Sequence, residues 1–267
     1  MEVIVVAISS LLAAGLTLFS GFGLNTVLLP VFLVLFPEPV AVGAVAIVHL
    51  ANGLFKLAIV GKWADRKVVL RFGVPALLAA IAGAAALTYL AAYNRPIATY
   101  ELLGRDAAIT PIKVVFAGLI AGFAVLELVP RLAKLRVRDK WLPVGGVLSG
   151  FFGGLSGHQG ALRSIFLVRS GMTMEAYIGT ATVCSVMVDV VRLIVYFTGA
   201  AFFAHRALAE AMGDRRTLTL VTVGALAAFC GSYVASRYVK SMTMERVRLL
   251  VGVMLLLSAA AIGSGLL

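Results

Sequence analysis

Residues 153–168 read GGLSGHQGALRSIFLV and lie between two long apolar segments. Four glycines and a cluster of serine, histidine, glutamine and arginine interrupt what would otherwise be a continuous apolar helix. In a bilayer, broken backbone at membrane depth is tolerated only where it is buried in protein or lines a cavity. The stretch therefore predicts a discontinuous membrane helix that builds a binding site.

The composition of the whole chain points to a membrane protein. Of 267 residues, 61% are hydrophobic and 13% are charged, and the mean hydropathy is +1.04. Soluble domains carry about 25% charged residues. Long apolar runs, rather than short alternating segments, favour helices over an outer-membrane barrel. We therefore predict an all-α polytopic membrane protein.

The net charge of +11 does not indicate nucleic-acid binding. Lysine and arginine cluster in short loops between apolar spans, which is the pattern that the positive-inside rule produces. The first apolar segment has no basic region before it and runs directly into a glycine motif, so we expect a retained helix rather than a cleaved signal peptide.

A second break, SGFGLNT at residues 20–26, resembles the first and predicts an internal repeat. We expect two repeats, at residues 1–130 and 131–267, each with a glycine-broken helix followed by three transmembrane helices. Lys56 lies 13 residues after Gly43, and Arg192 lies 13 residues after Gly179. This shared spacing places one cation at the same point of each half.

The distribution of basic residues tests two topologies. If each broken segment crosses the membrane once, the loops divide 12 to 8 in lysine plus arginine. If each broken segment is re-entrant, they divide 14 to 6. The second division fits the positive-inside rule better and leaves three crossings per half, which makes the repeats inverted.

Several polar and cationic residues inside apolar spans are candidates for an anion site, because charges at membrane depth usually face a cavity or a partner. The N-termini of the short helices after each break add backbone donors and a positive dipole end. The predicted substrate-binding residues are Asn25, Thr26, His49, Asn52, Lys56, Ser156, His158, Gln159, Arg163, Ser164 and Arg192.

Structural roles are alternatives for the same residues. Asp189 lies three positions before Arg192 on one helix face and could hold it as an ion pair. Lys56 lies close enough to a loop to extend its amine there, and polar groups at the breaks could serve only the broken backbone. His49 and Asp189 are also proton-coupling candidates, since imidazole titrates near neutral pH.

No hydrolase, metalloprotease or nucleotide-binding motif occurs in the sequence, so we expect no enzyme activity, metal or cofactor. The two cysteines, Cys184 and Cys230, lie in apolar spans without metal-binding spacing. We interpret them as small apolar residues.

The motifs resemble those of the TauE/SafE family of sulfite and organosulfonate exporters. The resemblance rests on GGLSGHQGALRSIFLVRSGM with AYIGTATVCSVMVDVVRLIVY in the second half, and on GFGLNTVLLPVFLV with AVGAVAIVHLANGLFKLAIVGKWADRKVVLRFG in the first. It covers nearly the whole chain and implies an inner-membrane transporter of small sulfur-containing anions in a bacterium or archaeon. Polar residues at 24–26 and 158–159 replace part of the family's glycine-rich runs.

The function we expect is an alternating-access secondary transporter, by resemblance an exporter, with the anion site between the two repeats. An anion channel with the same site, or a membrane sulfur-handling protein that uses Cys184, are the alternatives. The expected partners are a small anion such as sulfite or a sulfonate and the lipid bilayer. A second copy in a homodimer is left open, and nucleic acid is not expected.

Overall fold

A computed structural model of the chain describes residues 1–20, 24–92, 95–102, 105–129, 138–167, 172–198, 210–238 and 244–266. Two predicted features fall outside these ranges. They are the glycines of the first break, at 21–23, and the basic loop at 130–137 that contains the predicted boundary between the halves.

Ten helices make up most of the described chain. α1 (Glu2–Ser20) and α2 (Leu24–Leu35) flank the first break, and α3 (Glu38–Val60) follows. α4 begins as Arg66–Val68, passes through a π-helical turn at Val69–Gly73 and continues as Val74–Ala92. The remaining helices are α5 (Pro111–Leu128), α6 (Leu142–Ser156), α7 (Gly160–Leu167), α8 (Met174–Thr198), α9 (Arg215–Tyr238) and α10 (Met244–Gly263).

The predicted helical membrane fold is confirmed. Four segments of the described chain are long and apolar enough to cross a bilayer, namely Val40–Trp63, Arg66–Ala91, Met174–Thr198 and Arg215–Ala235. Shorter apolar helices cover Glu2–Gly15, Leu24–Leu35, Pro111–Leu126 and Gly252–Gly263. Large apolar side chains such as Leu70, Leu78 and Ile194 project from the surface, as lipid contact requires.

The connection between α4 and α5 has secondary structure of its own. This segment contains an antiparallel hairpin, in which β1 (Ala98–Leu102) pairs with β2 (Arg105–Ile109). The main-chain groups of the connection are thereby hydrogen-bonded to each other. The hairpin also packs on the end of the chain, since the Tyr100 hydroxyl donates to the Ser264 carbonyl oxygen.

Small residues bring α4 and α6 into close contact. A Cβ built on Gly146, Gly150 or Gly154 of α6 would lie within 2.2 Å of a carbonyl oxygen of α4. These three glycines meet Phe72, Ala76 and Ala80 in sequence order, so the two helices run parallel. Glycines at spacings of four let helix backbones approach closely in membranes.

The same kind of contact joins α1 and α9. A Cβ on Gly231 of α9 would lie 2.1 Å from the Leu11 carbonyl oxygen of α1. Gly224 lies against Val6 and Ser10, so contacts advance along both helices in the same direction and this pair is also parallel.

Two other helix pairs are antiparallel. Gly179, near the start of α8, lies against Val60 at the end of α3, whereas His49 further back in α3 contacts Asp189 further along α8. In the pair of α5 and α10, Gly252 lies against Leu128 and Gly263 against Ala117.

Contacts at one end of the bundle fix the outer ends of α1 and α2. Glu2, at the start of α1, accepts hydrogen bonds of 2.8 and 2.6 Å from Arg216 of α9. The Arg216 guanidinium also lies 5.6 Å from the ring centroid of Phe36, directly after α2. The start of α1 and the end of α2 therefore lie at the same end of the bundle.

The close contact of α4 with α6 predicts that Gly83→Ala destabilises the protein. A Cβ at Gly83 would lie 1.9 Å from the Phe151 carbonyl oxygen, and backbone cannot move aside cheaply. We expect a loss of about 1–3 kcal/mol, as in overpacked cores, and a lower melting midpoint in detergent. Gly118→Ala is the matched control, because nothing lies within 4 Å of its Cβ. Equal midpoints for the two variants would contradict the packing argument.

Candidate anion-binding site

The break between α6 and α7 is a left-handed turn at one glycine. α6 ends at Ser156, and Gly157 caps it with φ 77° and ψ −1°. An L residue with a side chain is strained in this conformation, whereas glycine adopts it freely. Three residues later Gly160 begins α7, whose first turn leaves backbone N–H groups to partners outside the helix.

Two side-chain donors from other helices converge on this glycine. A Cβ on Gly157 would lie 2.2 Å from Arg192 Nη1 of α8 and 2.2 Å from Asn25 Nδ2 of α2. The missing side chain is therefore what allows a guanidinium and an amide to approach the turn. Positive charge and N–H donors meet where the helix is broken.

Arg192 is fully buried, and its charge is compensated by a carboxylate. Its Nη2 lies 3.0 Å from Asp189 Oδ1, so the ion pair predicted from the spacing is present. Its Nε and Nη1 make no hydrogen bond within the part of the chain that the structure describes. The Tyr196 hydroxyl, close to the guanidinium, donates to the Gly154 carbonyl oxygen. The outer edge of Arg192 can thus receive a further acceptor.

Asp189 connects the break to α3. Its Oδ2 lies 2.6 Å from His49 Nδ1, and Gln159 Nε2 lies 3.4 Å from its Oδ1. Gln159 also donates to Ser185 Oγ at 3.3 Å. The structure therefore joins His49, Gln159 and Arg192 through a single carboxylate with no exposed surface.

Asn25 ties the first break to the second. Its Nδ2 donates to the Ser156 carbonyl oxygen at 2.8 Å, across 131 residues of sequence. This bond satisfies a carbonyl that the end of α6 would otherwise leave without a helical partner. The Asn25 amide therefore fixes the start of α2 against the end of α6.

His158 uses its ring hydrogen within the turn and does not offer it to a ligand. Its Nδ1 lies 3.1 Å from the Ser156 carbonyl oxygen. Because a carbonyl only accepts, Nδ1 carries the hydrogen and Nε2 carries the lone pair. The ring stacks on Phe123 of α5 at 6.0 Å between centroids. A neutral His158 would therefore offer an anion no hydrogen at Nε2.

Arg163 and Lys56 form a second group of cations near this cluster. Arg163, one turn into α7, is 4% exposed, and its charge is close enough to interact with those of Lys56 and Asp189. Lys56 is half-buried in α3. Thr26 and Ser164, at the starts of the two short helices, are both buried.

Asn52 belongs to a helix contact. Its Oδ1 accepts a hydrogen bond of 2.9 Å from Ser232 Oγ of α9. His49 and Asn52, three residues apart in α3, therefore contact different helices, since His49 meets α8 and Asn52 meets α9. Cys184 is buried as a free thiol against α4, where its Sγ would lie 3.2 Å from a Cβ on Gly73.

The family described as Sulfite exporter TauE/SafE matches residues 6–262. The chain belongs to this family. Comparisons with curated proteins and with solved structures gave no match. TauE/SafE is a family of membrane transporters, so the chain is a multi-pass membrane transport protein. Its resemblance to the family, visible in the motifs of both halves, is confirmed.

Three contacts of this TauE/SafE site were not predicted from the sequence. His49 and Asp189 were named separately, but no signal in either span indicates that they touch across 140 residues. The bond from Asn25 to Ser156 and the approach of Tyr196 to Arg192 are likewise long-range or rotamer-dependent. The pair of Asp189 and Arg192 was deduced in advance from helical periodicity, which also makes Tyr196, four residues after Arg192, its neighbour on the helix.

The turn geometry predicts that Gly157→Ala damages the site. The left-handed conformation costs an alanine roughly 1–2 kcal/mol, and its Cβ would displace the Arg192 and Asn25 side chains. We expect a lower melting midpoint and at least about tenfold weaker anion transport in proteoliposomes. Gly122→Ala, with nothing within 4 Å of its Cβ, should transport normally. Normal transport by Gly157→Ala would show that this turn does not form the site.

Proposed function

We propose that the chain is a secondary transporter that exports small sulfur-containing anions, such as sulfite or organosulfonates, by alternating access. The anion binds at the break between α6 and α7, between two inverted repeats at 1–130 and 131–267. The family description supports the chemical class of the substrate. We place the protein in the inner membrane of a prokaryote, as its resemblance implies.

The observation that carries this proposal is the position of Arg192. A fully buried guanidinium with hydrogen-bonding groups directed away from its carboxylate partner is suited to a ligand that accepts hydrogen bonds. A guanidinium binds an oxyanion with two parallel hydrogen bonds, which are among the stronger polar contacts in proteins. The Asn25 amide beside it adds a donor without adding charge.

Arg163 and Lys56 supply positive potential beyond Arg192, along the route that the anion would follow through the bundle. In an apolar bundle their charges are weakly screened, so they attract an anion over several ångströms. Their mutual repulsion falls when an anion lies between them. Lys56, which is more exposed than Arg163, is suited to first contact, and the buried Arg163 to a later position.

The helix pairing supports the proposal of two repeats. If the two halves are repeats, α1 is equivalent to α6 and α4 is equivalent to α9. The parallel pair of α1 and α9 then corresponds to the parallel pair of α6 and α4. Gly83 meets Phe151 and Gly231 meets Leu11, each the tenth residue of the first helix in the opposite half. Such an exchange of equivalent contacts is expected around a two-fold axis.

The antiparallel pairs support an inverted arrangement. α3 corresponds to α8 and α5 to α10, and equivalent helices that pack antiparallel are related by an axis lying in the membrane plane. Arg216 contacts both Glu2 at the start of α1 and Phe36 directly after α2. The first broken segment therefore starts and ends at the same end of the bundle, which supports a re-entrant segment. In the second half, the contact that a Cβ on Gly145 would make with Phe166 likewise places the start of α6 near the end of α7.

The function is tested by anion flux into proteoliposomes across sulfite, sulfate, thiosulfate, organosulfonates and carboxylates. Lys56→Gln and Arg163→Gln should each weaken apparent affinity by roughly ten- to hundredfold, since a hydrogen bond to a charged group contributes about 1.5–3 kcal/mol. Arg216→Gln, which removes an exposed ion pair with Glu2, is the control and should transport normally. A panel on which no anion moves would refute the proposal.

Saturation and counter-transport in the same vesicles distinguish a carrier from a channel, because only a carrier exchanges one bound anion for another. Flux that rises linearly with anion concentration and shows no exchange would instead favour the channel.

The topology is tested by labelling single cysteines with an impermeant maleimide in intact cells. Lys62→Cys and Lys140→Cys should be protected, whereas Thr99→Cys and Gly213→Cys should react from outside, because re-entrant segments place 99 and 213 on one face. Gly213 decides the question, since fully crossing segments would put it on the face of Lys62. The Cys184→Ser, Cys230→Ser background must itself transport, and loss of transport there would favour the thiol-based alternative.

A further inference from the structure

The three groups His49, Asp189 and Arg192 form a continuous chain from α3 to the broken helix. His49 is 15% exposed at its side chain, whereas Asp189 and Arg192 have no exposed surface. Asp189 is bonded to His49 through Oδ2 and paired with Arg192 through Oδ1, so both carboxylate oxygens are engaged.

The hydrogen bond fixes where His49 can accept a proton. An ionised carboxylate only accepts, so the short contact of 2.6 Å requires the hydrogen to lie on Nδ1. The lone pair of a neutral His49 is then on Nε2, on the far side of the ring from Asp189. A proton from water would bind at Nε2 and give an imidazolium already paired with a carboxylate.

Charge balance in the buried cluster links this proton to the anion. With Asp189 ionised, Arg192 protonated and His49 neutral, the chain of three carries no net charge. A monovalent anion bound at Arg192 would bring these three groups to a net charge of −1, which Arg163 offsets only in part from α7, and unbalanced charge is costly inside a bilayer. One proton on His49 would return the three groups and the anion to zero net charge.

We propose that anion binding at Arg192 and protonation of the His49–Asp189 pair are coupled, so that a proton and an anion bind together and cross together. This inference rests on the proposed function, since it describes how the same anion site is regulated. The anion accepts hydrogen bonds from the Arg192 nitrogens that do not contact Asp189. The positive charge of Arg192 is then shared between the anion and the Asp189 carboxylate. A proton on the His49 imidazole gives Asp189 a second positive partner.

The surrounding charges favour this cluster over others in the described chain. From α7 the Arg163 guanidinium acts on Asp189, and from the break His158 is within electrostatic range of both His49 and Arg192. Tyr196 and Arg192 come from α8 itself, Gln159 from the break, and Asn25 from α2. Asp189 is the only carboxylate that these contacts place beside the anion site.

Coupling has a consequence for the direction of transport. A complex of one anion with one proton is electrically neutral, so the membrane potential does no net work on it. The outward gradient of an anion produced inside the cell would then drive export, with the proton leaving alongside. The release step would be favoured where the anion is dilute.

The test measures proton uptake when sulfite binds to the purified full-length protein. Calorimetry in two buffers of different ionisation enthalpy gives the number of protons taken up, from about pH 6 to about pH 8. Sulfite titrates in this range, but its own contribution is the same for every variant and cancels in differences. Wild type should take up about one proton more per anion than His49→Gln, whose amide can still donate to Asp189 but cannot be protonated.

The dissociation constant gives the second readout. By linkage, uptake of one proton at His49 weakens wild-type binding by up to about tenfold for each unit rise in pH, so the wild-type slope should exceed that of His49→Gln by this amount. Asp189→Asn removes the carboxylate that competes for Arg192, so we expect sulfite to bind at least tenfold more tightly, without the proton. Arg216→Gln should behave as wild type in both measurements.

Each outcome decides between the two proposals. Equal proton uptake by wild type and His49→Gln, or weaker binding by Asp189→Asn across the whole range, would overturn the coupling and leave Asp189 as a scaffold for Arg192. If neither variant folds, thiosulfate binding by wild type gives the same pH slope without interference from the anion's titration, and a flat slope overturns the coupling. If wild type binds neither anion, the proposed function itself fails.

Discussion

The burial of Arg192 in an apolar bundle is the constraint on which the site depends. A guanidinium without exposed surface must be compensated, and Asp189 one turn before it provides the opposite charge at 3.0 Å. That carboxylate has two oxygens to satisfy, which draws in His49 from α3 and Gln159 from the break. Removing one member of such a buried pair costs more than the pair contributes, because the partner remains charged in a medium that cannot solvate it. The cluster is therefore kept together because any state in which one of these buried charges has lost its partner is high in energy. As a result, α3, α7 and α8 are held in register.

Close helix packing lets the broken helix lie beside this cluster. The glycines of α6 bring its backbone against α4, and Gly153 just before the break would place a Cβ 2.9 Å from Gln159 and Val188. Lipid gives helices no hydrophobic reason to associate, so backbone approach through small residues supplies much of the contact. α6 can then end in mid-bundle at Gly157 because its unpaired carbonyls meet Asn25 and Tyr196 instead of lipid. The same small residues thus stabilise the bundle and provide room for polar groups at the turn.

Much of the fold follows from sequence because a membrane admits few solutions. Apolar length predicts helices, glycine clusters predict breaks, and the spacing of Asp189 and Arg192 predicts an ion pair. The hairpin at 98–109 was missed because its strands are short and lie in a polar segment, where periodicity is weak. The contacts of His49 with Asp189 and of Asn52 with Ser232 could not be deduced either. Residues three apart on a helix lie about 60° apart around its axis. This angle is enough for His49 to contact α8 while Asn52 contacts α9, and only the positions of those helices decide which residue meets which helix.

The difference between Lys56 and Arg192 supports the proposal that the anion binds at the second break. In the proposed repeat the two cations occupy equivalent positions, yet a lysine is a single compact charge whereas arginine presents a planar fork. Arg192 can therefore contact Asp189 with Nη2 while Nη1 faces Gly157. At the same place, a lysine ammonium would offer a single nitrogen, for which the carboxylate and the anion would compete. An arginine holds its internal partner while a ligand comes and goes, so the buried charge is never left without compensation. That property belongs to a site that must bind and release an anion repeatedly, and it is consistent with a scaffold that duplicates its helices but not its chemistry.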